Sequence, residues 1–355
     1  MKTKLVPVAM IAFAFSLVVA SQASASAVTV ARSSFPIVAF AHDGNWVAWQ
    51  TRPCSGGSAP HPLRLRSLAT GAHASVAVSP FCAPTLALGG DRALWRNVDR
   101  VDGAGDARML TAAASDPAQR AVDSFFQFEL NGETVRAASG DGGTLVYSRF
   151  AFHDDAGCLS QPVTCHVVIT GGVTYRVVNN HKVTIPGAPG AVMLSAAGSR
   201  VALVPIVVGS VYRRQLKAGT PVEVRDVATG AVISSFSPVG KIRGISLNGS
   251  LVAVLVQAAD KSQRIELYDA ATGVLAHSSR VAPDVRATID MSAAGILFAH
   301  GRTLRLLSRT GGSARTIAAL RTAPFRYSIE NRTVVWAINM PGHSFIRRLI
   351  VSGLA

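Results

Sequence analysis

The sequence predicts an all-β fold, a seven-bladed β-propeller with six blades as the alternative, in which the N-terminal strand closes the last blade. Three observations predict it. Seven hairpin patterns recur along residues 28–355, four stretches carry a Thr-Gly turn between strand-like segments, and helical periodicity is nowhere sustained.

The seven hairpins are IVAFAHDGNWVAWQ, TLALGGDRALWRN, RAASGDGGTLVYSR, VMLSAAGSRVALVP, GISLNGSLVAVLV, TIDMSAAGILFAH and YSIENRTVVWAI, starting near residues 37, 85, 136, 192, 244, 288 and 327. Most of their turns pair Gly with Gly, Asp, Asn or Ser, residues that tolerate the positive φ of a tight hairpin. The apolar run after each turn reads as a strand buried on both faces between neighbouring blades. The second turn recurs as SLATG at 67–71, DVATG at 226–230, DAATG at 269–273 and SRTGG at 308–312. Upstream of these lie LRLR, VEVR, IELY and LRLL, which alternate with the period of two that a pleated strand requires.

One such unit cannot cover both faces of its own sheet, and stacking several around an axis does so while removing open edges. The C-terminus supplies only three strands, around Arg326–Glu330, Thr333–Ile338 and Phe345–Val351. VTVARSS, Val28–Ser34, is strand-like and otherwise unpaired, so it is expected to complete the seventh blade as its outer strand.

The segment AHDGNWVAW resembles the S-P-D-G-x-x-hydrophobic-A-F signature of TolB-like and WD40-like (PD40-type) β-propeller repeats, with His42 where that signature has Pro. The D-x-x-T-G turns also resemble those of quinoprotein-type blades. Those blades carry a tryptophan a few residues later, where this chain has Phe236 and Ser278 or Ser279, a departure that counts against pyrroloquinoline quinone. The resemblance covers most of residues 28–355 and implies architecture; propellers host unrelated functions.

Met1 to Lys4, the apolar run Leu5–Ala20 and the small, polar SQASASA have the layout of a secretory signal peptide, expected to be cleaved after Ala27. The sixteen apolar residues, interrupted by Pro7, fall short of the roughly 20 that span a membrane. No transmembrane span is therefore expected after cleavage, and the protein is expected to be secreted and monomeric. The formal charge of +15 becomes +13 when Lys2 and Lys4 leave. Most of the cationic residues are arginine, spread without a dense run, which argues against specific nucleic-acid binding while leaving room for anionic polymers. Cys54, Cys82, Cys158 and Cys165 make an even count in an exported chain, read as disulfides 54–82 and 158–165, since the spacing suits no structural zinc.

Long second-to-third connections are expected at Thr51–Pro62, Asn97–Ala107, Ala151–Thr164 and Ile206–Thr220, joined on one rim by the blade-to-blade stretch Pro117–Thr134. On this rim Tyr212, Arg213, Arg214 and Lys217 form the densest basic patch, suited to a phosphate or carboxylate. His153, Asp154 and Asp155, with Asp99, Asp102 and Asp106, form an acidic group; its spacing matches no calcium loop, so no metal is assigned. No nucleophile elbow, zinc-protease, phosphate-loop or dinucleotide motif is present. Asp290 and Glu330 sit in or beside innermost strands without forming a catalytic pair in the sequence.

The sequence reading is thus a cofactor-free extracytoplasmic binding or scaffold protein for a protein or an anionic cell-envelope polymer. The alternative is a secreted polysaccharide hydrolase or lyase working from the central channel, and a quinone-dependent dehydrogenase ranks last.

Overall fold

The computed structural model describes residues 26–51, 62–78, 85–101, 104–128, 131–154, 167–209, 211 and 216–351. Among them every regular element is a strand, and there is no helix long and apolar enough to cross a membrane. β1 (Val28–Ser33) leads in. Blade 1 then holds β2 (Ile37–Asp43), β3 (Trp46–Thr51), β4 (Leu63–Ser67) and β5 (His73–Val76). Blade 2 holds β6 (Leu86–Gly89), β7 (Arg92–Val101), β8 (Ala104–Ala113) and β9 (Arg120–Phe128), and blade 3 holds β10 (Gly132–Asp141), β11 (Thr144–Asp154), β12 (Val167–Val178) and β13 (His181–Pro189).

Blade 4 follows with β14 (Ala191–Ala197), β15 (Arg200–Pro205), β16 (Val222–Asp226) and β17 (Val232–Phe236). Blade 5 contains β18 (Lys241–Asn248), β19 (Leu251–Gln257), β20 (Gln263–Asp269) and β21 (Leu275–Val281), and blade 6 contains β22 (Val285–Ser292), β23 (Gly295–His300), β24 (Thr303–Leu307) and β25 (Arg315–Ala319). The last blade has β26 (Arg326–Glu330), β27 (Thr333–Met340) and β28 (His343–Ile350), with β1 antiparallel to β28 as its outer strand.

The innermost strands touch in the order β2, β6, β10, β14, β18, β22, β26 and back to β2, so seven blades, not six, close the ring. Second strands are the driest. Val252, Ala253, Val254, Leu255 and Val256 of β19 are all fully buried, because both sheet faces are covered by neighbouring blades. The Thr-Gly turns have a local cause: Asp226 Oδ1 accepts the Thr229 N–H at 2.7 Å and its hydroxyl at 2.9 Å, and Asp269 treats Thr272 alike at 2.8 and 2.9 Å. Gly230 closes the turn at φ +74°, and a Cβ there would lie 1.9 Å from the Pro186 carbonyl oxygen of the preceding blade. Phe236, where quinoprotein blades have tryptophan, stacks on Tyr268 with centroids 4.0 Å apart.

Two expected connections are strands instead. β7 and β8 pair continuously from Arg92↔Ala113 to Val101↔Ala104, so Asn97–Ala107 is a hairpin extension, not an open loop. Within Pro117–Thr134, β9 is the outer strand of blade 2, and Gln127 pairs with Gly132 at the start of β10, which joins blades 2 and 3 into one eight-stranded sheet.

Candidate functional site

Antiparallel order sorts the connections onto two faces. Innermost strands begin on the linker face, which also bears the second-to-third and blade-to-blade connections; they end on the turn face, with the hairpin and Thr-Gly turns. Between the faces runs a central channel of about 830 Å³ lined by all seven innermost strands.

At the linker-face end the channel is lined by Arg96, Arg136, Arg243 and Arg326. The arrangement has a backbone origin. Register shifts between Val135 and Ala137, and between Ile242 and Gly244, leave Arg136 and Arg243 as the extra residues of β-bulges, which turn a side chain away from the ladder. Burial and the charge of Arg96 lower the affinity of Arg136 for its proton. Arg96 reaches Thr134 Oγ1 at 2.7 Å, Arg326 reaches Thr288 Oγ1 at 3.0 Å, and the neighbouring Arg286 donates to the Pro324 carbonyl at 2.6 Å. The Arg243 Nε is buried with no hydrogen-bond partner among the described residues.

Mid-channel, a belt of side chains ties blades 3 to 7 in succession and blade 7 to blade 1. Ser139 Oγ accepts the Ala196 N–H at 2.9 Å, Ser195 Oγ that of Leu247 at 2.8 Å, Ser246 Oγ that of Met291 at 3.0 Å, and Asp290 Oδ2 that of Ile329 at 2.8 Å. Ser328 continues the series to His42 Nδ1 at 3.3 Å and Asp290 Oδ2 at 2.6 Å. Burial lowers the His42 pKa to about 4, against the opposing Gly44 carbonyl, so the ring is neutral at pH 7. Nε2–H donates to that carbonyl, and Ser328 Oγ donates to Asp290 Oδ2. Burial raises the Asp290 pKa, against the hydrogen bonds it accepts from Ser328, Ile329, Met291 and Ser246.

The turn-face end is acidic and narrow. Oxygens of Asp43, Asp141 and Glu330, from blades 1, 3 and 7, lie within 4.8 Å of one another. Asp43 is 4 % exposed, and its Oδ2 accepts the N–H groups of Gly90 at 2.5 Å and Gly142 at 2.9 Å, reaching the hairpin turns of blades 2 and 3. Asp141 Oδ2 accepts the Gly198 N–H at 2.6 Å. Burial raises the Asp43 pKa, and burial followed by the charges of Asp141, Asp290 and Asp43 raises that of Glu330 to about 7. Asp43, Asp141 and Asp290 thus each hold backbone N–H groups of neighbouring blades.

A further charged cluster lies between blades 2 and 3. The Asp123 side chain is fully buried and accepts from Tyr147 Oη at 3.0 Å, Arg149 Nη1 at 3.1 Å and Lys182 Nζ. Its charge is matched on the spot, as a buried ion must be, and it seals two blades.

Of the rim residues read from the sequence, Lys217 is exposed on the linker face, with its carbonyl accepting from Thr220 Oγ1 at 2.8 Å. His153 is exposed near the end of β11, and Asp154 is that strand's last residue. Asp106 is exposed on β8, and the backbone of Asp99 pairs opposite it. Tyr212, Arg213, Arg214, Asp155, Asp102 and all four cysteines, with the disulfides 54–82 and 158–165, lie outside the described residues. The channel arginines were missed, although a signal existed: VRAAS, IRGIS, VRATID and FRYS repeat an apolar residue, Arg, and a Ser or Asp two to four positions later at the start of four innermost strands.

Solved structures share this architecture. The β-propeller domain of the Trilobed protease from Pyrococcus furiosus matches with a TM-score of 0.54 and 8% identity, over 85% of this chain and 89% of that one. The chain is a seven-bladed β-propeller. An acylaminoacyl peptidase from Pyrococcus horikoshii matches with a TM-score of 0.56 and 12% identity over 85% of the propeller, which spans 49% of the peptidase chain. A chain of the mitotic checkpoint complex matches with a TM-score of 0.51 and 11% identity, over 99% of this chain and 100% of that one. These likenesses are of fold. No family model matches the sequence, and no curated protein shows significant similarity to it.

Proposed function

We propose that this propeller is a secreted, extracytoplasmic binding or scaffold protein that holds an anionic cell-envelope polymer against its linker face. The observation that carries the reading is the polarity of the ring. Arginines from blades 2, 3, 5 and 7 gather at the linker-face end of the channel, whereas the carboxylates of Asp43, Asp141 and Glu330 gather at the other. Such a dipole orients a polyanion towards one face and repels it from the opposite one. Lys217 is exposed on the same face, and Arg213 and Arg214 precede it by four and three positions in the sequence.

The test is retention of the purified protein on a sulfated-polysaccharide column at moderate salt. Charge reversal of Arg213, Arg214 and Lys217 together should release the protein at lower salt than the wild type. Retention of the triple variant equal to wild type would remove the rim from the contact.

A further inference from the structure

We infer that the channel is a blind well that binds a small organic anion, its dianionic head held by Arg136, Arg243 and Arg326 and its neutral body inserted towards the serine belt. The inference deepens the binding role proposed above, and it concerns a different surface from the rim.

The shape is set by the two ends. The bulge residues Arg136 and Arg243 stand five positions before Asp141 and Asn248, so mouth and floor are separated by roughly 16 Å of strand. At the floor, Asp43 of blade 1 spans to the turns of blades 2 and 3, and carboxylate oxygens of blades 1, 3 and 7 approach within 4.8 Å. That floor is both narrow and acidic. An anionic polymer drawn to the mouth has no route through it, because each added anionic unit would meet the carboxylates, so only a compact ligand or a chain end fits.

The volume of about 830 Å³ lies in the range of small-molecule sites. The lining is more polar than apolar, with the arginines and the belt hydroxyls set among Phe40, Met193 and Ile245. Guanidinium groups match the flat, two-oxygen edge of phosphate and carboxylate, and several converging on one mouth suit a head that carries two charges. Burial, and then the charge of Arg96, weaken proton affinity at Arg136, and a dianion at the mouth offsets the repulsion between the two arginines. The buried, unpartnered Arg243 Nε supplies a donor still to be satisfied.

Titration calorimetry on the purified protein with phenyl phosphate, phthalate and inorganic phosphate tests the inference. Phenyl phosphate or phthalate should bind at least about tenfold more tightly than inorganic phosphate, since only they bring a body that leaves water for Phe40, Met193 and Ile245; which of the two binds better separates a phosphate from a dicarboxylate ligand. The double variant R136Q/R243Q should lose at least about tenfold in affinity for the better probe, equivalent to ~1.4 kcal/mol. Should that variant fail to fold, Arg326→Gln replaces it, because Arg326 is exposed and its hydrogen bond is to a threonine hydroxyl. Equal affinity for inorganic phosphate and phenyl phosphate, or unchanged affinity in the folded variants, overturns the well. Loss of column retention in the rim variant alone leaves the well standing, and loss of probe binding in the channel variant alone leaves the rim standing.

Discussion

Gly140 occupies a place where no larger residue fits. A Cβ added there would lie 2.2 Å from the Leu88 carbonyl oxygen, because β6 and β10 run close together near the turn-face end of the channel. The obstacle is backbone, which cannot swing aside as a side chain can. Gly140→Ala should therefore destabilise the protein by about 1–3 kcal/mol, read as a lower midpoint in urea; an unchanged midpoint would mean that the two strands part freely. Asp43 makes the opposite case, a side chain that the ring needs. Asp43→Ala removes the acceptor of the Gly90 and Gly142 N–H groups, at about 0.5–1.5 kcal/mol for each hydrogen bond lost since both donors lie near solvent, and Asp43→Asn, which keeps an accepting oxygen, should lose less. Thermal melts of the two variants decide between a hydrogen-bonding role and a charge role.

At the scale of the element, β1 shows how a marginal strand becomes essential. Val28 is 52 % exposed and only Val30 is buried, so β1 gains little from its own apolar surface. Its importance lies in covering β28, whose other edge is already used by β27. Arg66 of blade 1 also donates to the Val30 carbonyl, which ties the closing strand across the seam. Deleting Val28–Ser33 should leave β28 as a raw edge and open the ring. Limited proteolysis near residues 343–350 and a shift towards oligomers on size exclusion would report it, whereas a monomer with unaltered cleavage would show that three strands suffice in the last blade.

The whole molecule couples its stability to pH through the acidic end of the channel. The Glu330 pKa rises from 4.5 to about 7, and those of Asp43 and Asp290 also rise, in each case with burial as the largest cause. Folding therefore favours the protonated forms. Below about pH 4.5 Glu330 is protonated whether the chain is folded or not, and its favourable contribution is fully present. Between about 4.5 and 7 the unfolded chain has shed that proton while the folded chain keeps it, so stability falls as pH rises through this window. Melting temperature should drop from pH 5 to pH 7.5, and Glu330→Gln should flatten that slope. An identical slope in the variant would assign the dependence to other groups.

Much of this architecture was written in local chemistry. The Asp-x-x-Thr-Gly turns fold through contacts within five residues, and the apolar second strands announce burial on both faces, so hairpins, repeat number and the closing role of Val28–Ser33 could be read without coordinates. The β7–β8 extension could not be read, because its tip, DGAGDA, is small and polar and shows no apolar alternation. Neither could the site. Arg136 and Arg243 are made neighbours by curvature of the ring and aimed by bulges, and Asp43, Asp141 and Glu330 are drawn together from positions nearly 290 residues apart. Period-two patterning is a property of one strand and survives in any sequence that builds it. Convergence on an axis belongs to seven strands at once, and only their closure decides which charges meet.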